Sequence, residues 1–364
     1  MKRIAVFTGG RSDISHLWWV IDGIHKSKKL ELMIFAPQNH PNIEDLRKNN
    51  NFFDIFSIWD LRDYGVTFNY LHVMLKFEKP DIFLCLGDRW ETHAAATAAL
   101  LSGTKICHIH GGETTEGCFD DELRNSITMM SQIHFVSHIE YGEKILQMTN
   151  KLDNIHIVGS PGLDWLTKAK LYTKAELKDK VSINLEEPYI LACFNPVTHE
   201  LSNTEIQIGN FMYALGAINE QVLLIRPNMD PKNEAINDMI NKHLVFSNYS
   251  HVKAVDNINH LTYLSLMKYA LMMVGNSSSG VIEAASLNLP VVDIGNRQKG
   301  RIMPDNVIHC GYETEDILEA IKKATYLYSK LHSVHRDYDW EPEIVNPYGD
   351  GNSAEKIVKV LEEI

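Results

Sequence analysis

The 364-residue sequence is short of cysteine, of long apolar runs and of positive charge. Its five cysteines, Cys85, Cys107, Cys118, Cys193 and Cys310, are odd in number and scattered along the chain. That excludes a disulfide ladder and a paired-cysteine zinc motif. Cys85, Cys107 and Cys193 lie in apolar surroundings and read as buried free thiols. No apolar run approaches the roughly 20 residues that a membrane-spanning helix needs. Residues 1–7 enter a short apolar run at once, without a signal-peptide core or cleavage site, so the expected compartment is the cytoplasm. Lys and Arg total 35 against 47 Asp and Glu, a formal net charge of -12. An acidic surface excludes broad binding to nucleic acid or anionic membranes, though not a local basic pocket. The dinucleotide fingerprint G-x-G-x-x-G is also missing from the first glycine turn, Gly9-Gly10-Arg11-Ser12-Asp13, which leaves a nicotinamide cofactor without support.

What the chain does have is a rhythm of short apolar runs, each followed by a turn and a helical pattern. Residues 4–8, 32–36, 82–86, 105–109, 134–137 and 155–158 read as buried strands in the first half. Residues 190–194, 222–225, 252–255, 271–274 and 291–294 do so in the second. Such alternation predicts parallel sheets built from βαβ units. Two series in succession predict two doubly wound lobes. The boundary falls after Gly159-Ser160-Pro161-Gly162, which gives a first domain of residues 1–165 and a second of 166–344. Residues 345–364 contain a turn, Tyr348-Gly349-Asp350-Gly351-Asn352-Ser353, and a helix with Ala354, Ile357, Val358 and Leu361 on one face.

Polar clusters stand directly after several strands, where a parallel sheet presents its ligands. Gly9-Gly10-Arg11 can bring backbone close to an anion, with Arg11 adding charge; a plain turn with a solvated arginine is the rival. Gly87-Asp88-Arg89-Trp90-Glu91 sets an aspartate beside an arginine at a strand end, which suits acid/base work or a phosphate contact; a capping aspartate with a surface arginine is the rival. The densest group is His108-Ile109-His110-Gly111-Gly112-Glu113, followed by Asp120-Asp121-Glu122-Leu123-Arg124. Alternation places His108 and His110 on one face of the strand. A metal site is the rival there, but glycines among the acids and nearby arginines fit proton transfer beside a phosphate better. In the second half, Gly275-Asn276-Ser277-Ser278-Ser279-Gly280 joins a strand to a helix and suits an anion, with Glu283 one turn on. Asn296-Arg297-Gln298-Lys299-Gly300-Arg301 puts three cations on a loop that could close over a diphosphate. Asn195-Pro196-Val197-Thr198-His199-Glu200 and Arg226-Pro227-Asn228 also follow strands.

In this order the segments resemble the hydrolysing UDP-N-acetylglucosamine 2-epimerases of sialic and legionaminic acid biosynthesis, nearly end to end. The resemblance rests on Arg-x-Asp, Gly-Asp-Arg, His-Ile-His-Gly-Gly-Glu, Asp-Asp…Arg, Asn-Pro-Val-Thr, Asn-Ser-Ser-Ser-Gly, Arg-Gln-Lys-Gly-Arg and Tyr-Gly-Asp-Gly-Asn. It implies an α/β, GT-B-like fold: two Rossmann-like parallel-sheet domains facing a cleft, with the C-terminal helix crossing back to the first. It implies no metal and no cofactor, a nucleotide-sugar substrate, and a homodimer or homotetramer. The implied reaction eliminates UDP across C1–C2 and then adds water with inversion at C2. Asp88, Glu113 and Asp121 match the family's acidic positions. His110 stands where non-hydrolysing relatives carry a glutamate. Arg11, Arg89, Arg301, Ser277 and Ser278 match diphosphate positions and Glu283 the ribose ligand; Asn195 and Asn228, which follow second-half strands, are further substrate-binding candidates. Two departures stand out. Arg11-Ser12-Asp13-Ile14-Ser15 replaces Arg-Ala-Asp/Glu-Tyr-Gly, and Asn195 replaces a histidine, which removes a group able to shuttle protons near neutral pH. Nearby His199 is a candidate substitute. The alternatives are a non-hydrolysing 2-epimerase, a GT-B glycosyltransferase and a non-catalytic nucleotide-sugar binder. A 2,4-diacetamido-2,4,6-trideoxy hexose competes with N-acetylglucosamine as the sugar.

Overall fold

A computed structural model describes residues 1–37, 54–58, 63–227, 232–256, 258–332 and 344–364. The chain divides into two compact units, one of Met1–Glu113, Asp120–Lys168 and Tyr348–Ile364, the other of Thr114–Phe119 and Ala169–Pro347. Thr114–Phe119 thus groups with the second unit, although its flanks belong to the first.

The first unit holds a parallel sheet of seven strands: β1 (Lys2–Phe7), β2 (Leu30–Pro37), β3 (Asp54–Ile58), β4 (Ile82–Leu86), β5 (Lys105–Ile109), β6 (Ile133–Val136) and β7 (Ile155–Ile157). Their order is β3-β2-β1-β4-β5-β6-β7. The chain therefore reverses its direction of travel between β1 and β4, which makes that edge the switch point where doubly wound sheets take ligands. Ile4, Val6, Ile34 and Leu84 face one core with the helix Arg11–Lys26, while Ala5, Phe7, Phe35 and Phe83 face another. Burial on both faces explains why these strands read as continuous apolar runs.

The second unit holds β8 (Tyr189–Cys193), β9 (Gln221–Ile225), β10 (Val252–Val255), β11 (Met272–Gly275), β12 (Val291–Ile294) and β13 (Val307–Cys310), in the order β10-β9-β8-β11-β12-β13. Its switch point lies between β8 and β11. All strand pairs in both sheets are parallel.

The strands expected from sequence all form, within a residue or two. β3 and β13 were not expected. Asp54 and Ser57 interrupt the apolar pattern of β3, and β13 is an edge strand whose four residues all retain some exposure. The C-terminal helix Ser353–Glu363 packs in the first unit, burying Ala354, Ile357 and Leu361 beside Ile14, Leu17 and Ile21. Gly23 makes room for it, since a Cβ there would lie 2.9 Å from Val358. The five cysteines are free. Among the described residues no helix is long and apolar enough to cross a membrane.

Candidate active site

At the first switch point, the loop after β1 is closed by its own aspartate. One carboxylate oxygen of Asp13 accepts the N–H groups of Gly9 (3.1 Å) and Gly10 (3.0 Å). The glycine turn expected to meet a ligand anion therefore already holds an internal one. Burial pushes the Asp13 carboxyl up to about 6; Arg89 pulls it down, Glu91 pushes it up, and the two backbone N–H groups pull it down. The Arg11 side chain lies outside the described residues.

Beyond β4, Arg89 caps the helix Trp90–Ser102 and makes a two-pronged contact to Glu91, at 3.0 and 3.3 Å. The adjacent Asp88 bonds to Arg124 instead. Arg124, part of the Asp-Asp…Arg motif but assigned no role by it, is the hub of this cluster. Its guanidinium, 1% exposed, bonds Asp88 through Nη2, and through Nη1 it bonds both Asp121 and the Glu113 carbonyl (2.9 Å). Asp121 and Arg124 stand one turn apart on the helix Asp120–Met130, so the pair was visible as an i, i+3 spacing. The link to Asp88, 36 residues back, was not.

His108 and His110 do not share a role. His108 is buried on β5, bonded to the Gly87 carbonyl (2.7 Å) and Thr128 (3.2 Å), and burial lowers it to about 3, so it stays neutral. β5 ends at Ile109, and His110 turns into the left-handed region at φ 65, which breaks the strand alternation. Its Nδ1 meets Glu113 Oε1, and its Nε2 lies 3.4 Å from Ser160 Oγ. Glu113 is 2% exposed and also accepts Ser137 Oγ–H at 2.8 Å. Gly112 is required there: a Cβ would lie 2.3 Å from the Tyr141 carbonyl. Lys144 Nζ reaches the Glu113 carbonyl at 3.3 Å. Asp13, Ser137 and Lys144 are not among the predicted site residues; Asp13 bonds three and four residues back within its own turn, whereas Ser137 and Lys144 reach Glu113 from distant segments that no local spacing announces. In this unit the structure thus collects Asp88, His110, Glu113 and Asp121 around Arg124, and puts Arg89 with Asp13 and Glu91.

In the second unit, Asn195 and Asn276 lock the switch point together. The Asn195 N–H donates to Asn276 Oδ1 (2.7 Å), and Asn276 Nδ2 donates to the Asn195 carbonyl (2.8 Å). Gly275 allows this approach, because a Cβ there would lie 1.7 Å from the Cys193 carbonyl. The Asn195 side chain is buried, with Nδ2 3.6 Å from Cys193 Sγ. Ser277 caps the helix Ser278–Ile282, accepting the Ser279 N–H at 3.4 Å, and buried Glu283 closes that helix. With five residues the helix has a small dipole, so anion binding here rests on individual N–H and hydroxyl groups. The 296–301 loop is tied down rather than loose. Arg297 Nη1 (3.0 Å) and Gln298 Nε2 (2.9 Å) both donate to the Asn276 carbonyl, and Asn296 bonds Tyr312 (2.9 Å) and Glu200 (2.7 Å). Lys299 is paired with Glu116 at 2.8 Å. The Arg301 N–H donates to the Gln298 carbonyl at 3.2 Å within this loop. His199 Nδ1 donates to the Glu116 carbonyl at 3.1 Å, so that nitrogen is committed to structure. Asn228 lies outside the described residues. Among the described residues no group of three or more His, Cys, Asp and Glu side chains could hold a metal ion.

The chemistry divides cleanly. The first unit offers a buried glutamate in a histidine–serine cradle and two carboxylates on one guanidinium, which is equipment for proton transfer. The second offers a serine-rich turn backed by cations, which is equipment for an anion.

Two doubly wound Rossmann-like units of this kind define the GT-B-like class of α/β proteins. The chain matches the family model described as UDP-N-acetylglucosamine 2-epimerase over residues 61–362. It is 29% identical over 379 aligned positions to the UDP-N,N'-diacetylbacillosamine 2-epimerase (hydrolyzing) of Legionella pneumophila, covering 100% of this chain and 96% of that protein. It is 32% identical over 339 positions to the UDP-N-acetylglucosamine 2-epimerase of Neisseria meningitidis, covering 90% and 88%. The fold is similar to the crystal structure of the UDP-GlcNAc 2-epimerase from Neisseria meningitidis bound to UDP-GlcNAc, with TM-score 0.79, 20% identity and 100% of both chains covered. The chain belongs to the UDP-N-acetylglucosamine 2-epimerase family and is an enzyme of it.

Proposed function

We propose that the enzyme is a hydrolysing 2-epimerase. It converts a UDP-linked 2-acetamido sugar and water to UDP and the free manno-configured sugar. The C2 proton of such a sugar is weakly acidic, so a positioned base must remove it. The electron pair released from that C–H bond forms the C1–C2 double bond as the C1–O bond breaks and UDP leaves with its charge. Water then gives its oxygen to C1, and a proton returns to C2 on the opposite face. Glu113, Asp88 and Asp121 serve as acids and bases, with His110 orienting Glu113. The Asn276–Ser278 turn and Arg301 receive the diphosphate, where N–H dipoles and a cation stabilise the leaving anion. Glu283 meets the ribose. The observation that carries this reading is Arg124, which gathers Asp88, Asp121 and the Glu113 carbonyl around one buried charge.

The sugar is N-acetylglucosamine or its 2,4-diacetamido-2,4,6-trideoxy analogue; a Legionella relative is named for the diacetylbacillosamine substrate. Proton NMR in deuterated water tests the reaction with both UDP sugars. The expected result is UDP and a free sugar deuterated at C2. A deuterated sugar still bound to UDP means the non-hydrolysing reaction, and hydrogen retained at C2 rejects epimerisation.

We propose further that, of the homodimer and homotetramer the resemblance implies, the enzyme forms the homodimer. The helix Tyr64–Glu78 turns Val66, Val73 and Phe77 to solvent, Phe77 at 78% exposure, with Tyr70 half-buried among them. These positions alternate by four and three residues, the spacing of a helix–helix seam. A two-fold axis lets one such ridge pack on its own copy. Sedimentation velocity should find a dimer that Val73→Glu with Phe77→Glu converts to monomer.

A further inference from the structure

The segment Thr114–Phe119 runs from Glu113 to Asp120, directly between two of the acidic groups assigned to proton transfer, yet it packs in the second unit. Its contacts there are specific. The Glu116 N–H donates to the Lys299 carbonyl (2.9 Å), and the His199 N–H to the Gly117 carbonyl (3.1 Å). His199 Nδ1 takes the Glu116 carbonyl (3.1 Å), and the Phe119 N–H meets Thr198 Oγ1 (3.3 Å). The backbone approach is close enough to need glycine on both sides. A Cβ on Gly117 would lie 2.4 Å from the Asn296 carbonyl oxygen, and one on Gly300 would lie 2.6 Å from Thr114. The loop so gripped is the one whose Arg297 and Gln298 bond the Asn276 carbonyl, next to Ser277 and Ser278. A continuous run of hydrogen bonds and tight packing therefore leads from the serine turn to Gly117, which lies midway in sequence between Glu113 and Asp121.

We infer that residues 114–119 are a tether that transmits occupancy of the Asn276–Arg301 region to the Glu113 and Asp121 carboxylates, with Gly117 and His199 as its positioning residues. Anything that shifts the 296–301 loop must shift the tether, because the packing at Gly117 leaves no slack. The tether can in turn move only by pulling on the chain beside Glu113 and at the start of the helix Asp120–Met130. The acids then reach their working geometry when the diphosphate is bound, which keeps proton transfer in step with a substrate able to expel UDP. The inference rests on the nucleotide reading of the second unit.

Hydrogen exchange by mass spectrometry on the full chain, with and without UDP, tests it. In the wild type UDP should slow exchange in residues 276–283 and also in 120–125, the latter about fivefold, a modest coupling. Gly117→Ala and His199→Ala should keep the protection at 276–283 and lose that at 120–125. Their kcat should fall about tenfold while the UDP dissociation constant stays within about twofold, the signature of misplaced rather than missing groups. His199 is exposed, so its variant tests the tether even should Gly117→Ala fold badly. Protection at 276–283 with none at 120–125 in the wild type, or undiminished protection at 120–125 in His199→Ala, overturns the tether. No protection at 276–283 in the wild type overturns the nucleotide reading and the tether with it.

Discussion

Arg124 and Asp13 show how much of this site is decided by charge burial at single residues. A guanidinium 1% exposed needs its counter-charges, and Asp88 and Asp121 supply two while each stays about a fifth exposed, at 22% and 21%. Arg124→Met should therefore lower stability by about 2 kcal/mol. That is below the ~3–5 kcal/mol of a fully buried pair, because the stranded carboxylates keep some water. Adding Asp88→Asn should recover part of the loss, which urea denaturation of the double variant measures. Asp13 is the opposite case, a carboxylate whose burial outweighs its partners. Its pKa rises from 3.8 to about 6 on folding, so the folded state binds the proton more tightly. The stabilisation is complete below pH ~4 and lost as pH rises through ~6. Asp13→Asn removes that loss, and the amide oxygen can still accept both glycine N–H groups. The variant should be more stable than wild type at pH 7.5 by on the order of 2–3 kcal/mol, with the gap shrinking towards pH 4. Equal urea midpoints across that range would show that Asp13 is no more protonated folded than unfolded.

At the scale of elements, Asp164 holds the C-terminal helix. Its fully buried carboxylate accepts the N–H groups of Ser353 (2.8 Å) and Ala354 (2.9 Å) and pairs with Lys168 at 3.2 Å. Asp164→Ala should weaken the docking of Ser353–Glu363 by about 1–2 kcal/mol, the worth of a helix cap. Faster amide exchange confined to residues 353–363 is the expected readout; uniform destabilisation would assign Asp164 to the core instead. Elements were also the scale most legible in sequence. Strands buried on both faces, such as β4 and β11, announce themselves by composition alone, while edge strands β3 and β13 carry polar residues and do not. Among site residues, the clusters after β4, β5 and β11 were readable because a parallel sheet puts its ligands at strand ends. Their internal wiring was not. Arg124 reaching Asp88, Asp13 filling the Gly9–Gly10 turn, and Gly117 seated against Asn296 all join residues far apart in sequence or dependent on loop geometry. His110 escaped its expected face because β5 stops one residue before it, at the Gly111-Gly112 turn.

For the whole molecule, hydrophobic clusters that each stay within one unit predict two unfolding events. The first unit owns the clusters around Ile4 and Phe7, the second the cluster around Ile190, and these clusters have no residue in common. Of the six tryptophans, the four among the described residues, Trp18, Trp19, Trp90 and Trp165, all lie in the first unit. Intrinsic tryptophan fluorescence therefore reports mainly on that unit, while far-ultraviolet circular dichroism reports on both. A ligand held by native structure stabilises whatever unfolding releases it, by about 2.7 kcal/mol at a hundred times its dissociation constant. Since the Asn276–Ser278 turn and the 296–301 loop belong to the second unit, UDP should delay part of the dichroism loss to higher temperature and move the fluorescence transition much less. A chain of net charge -12 would not draw UDP to its surface at large, so the shift should saturate as one site. Fluorescence and dichroism moving upward together by the same amount would mean that the two units melt as one block or that the first unit carries the nucleotide. Arg301→Ala separates these: with the nucleotide on the second unit, the variant loses the UDP shift and leaves the tryptophan transition where it was.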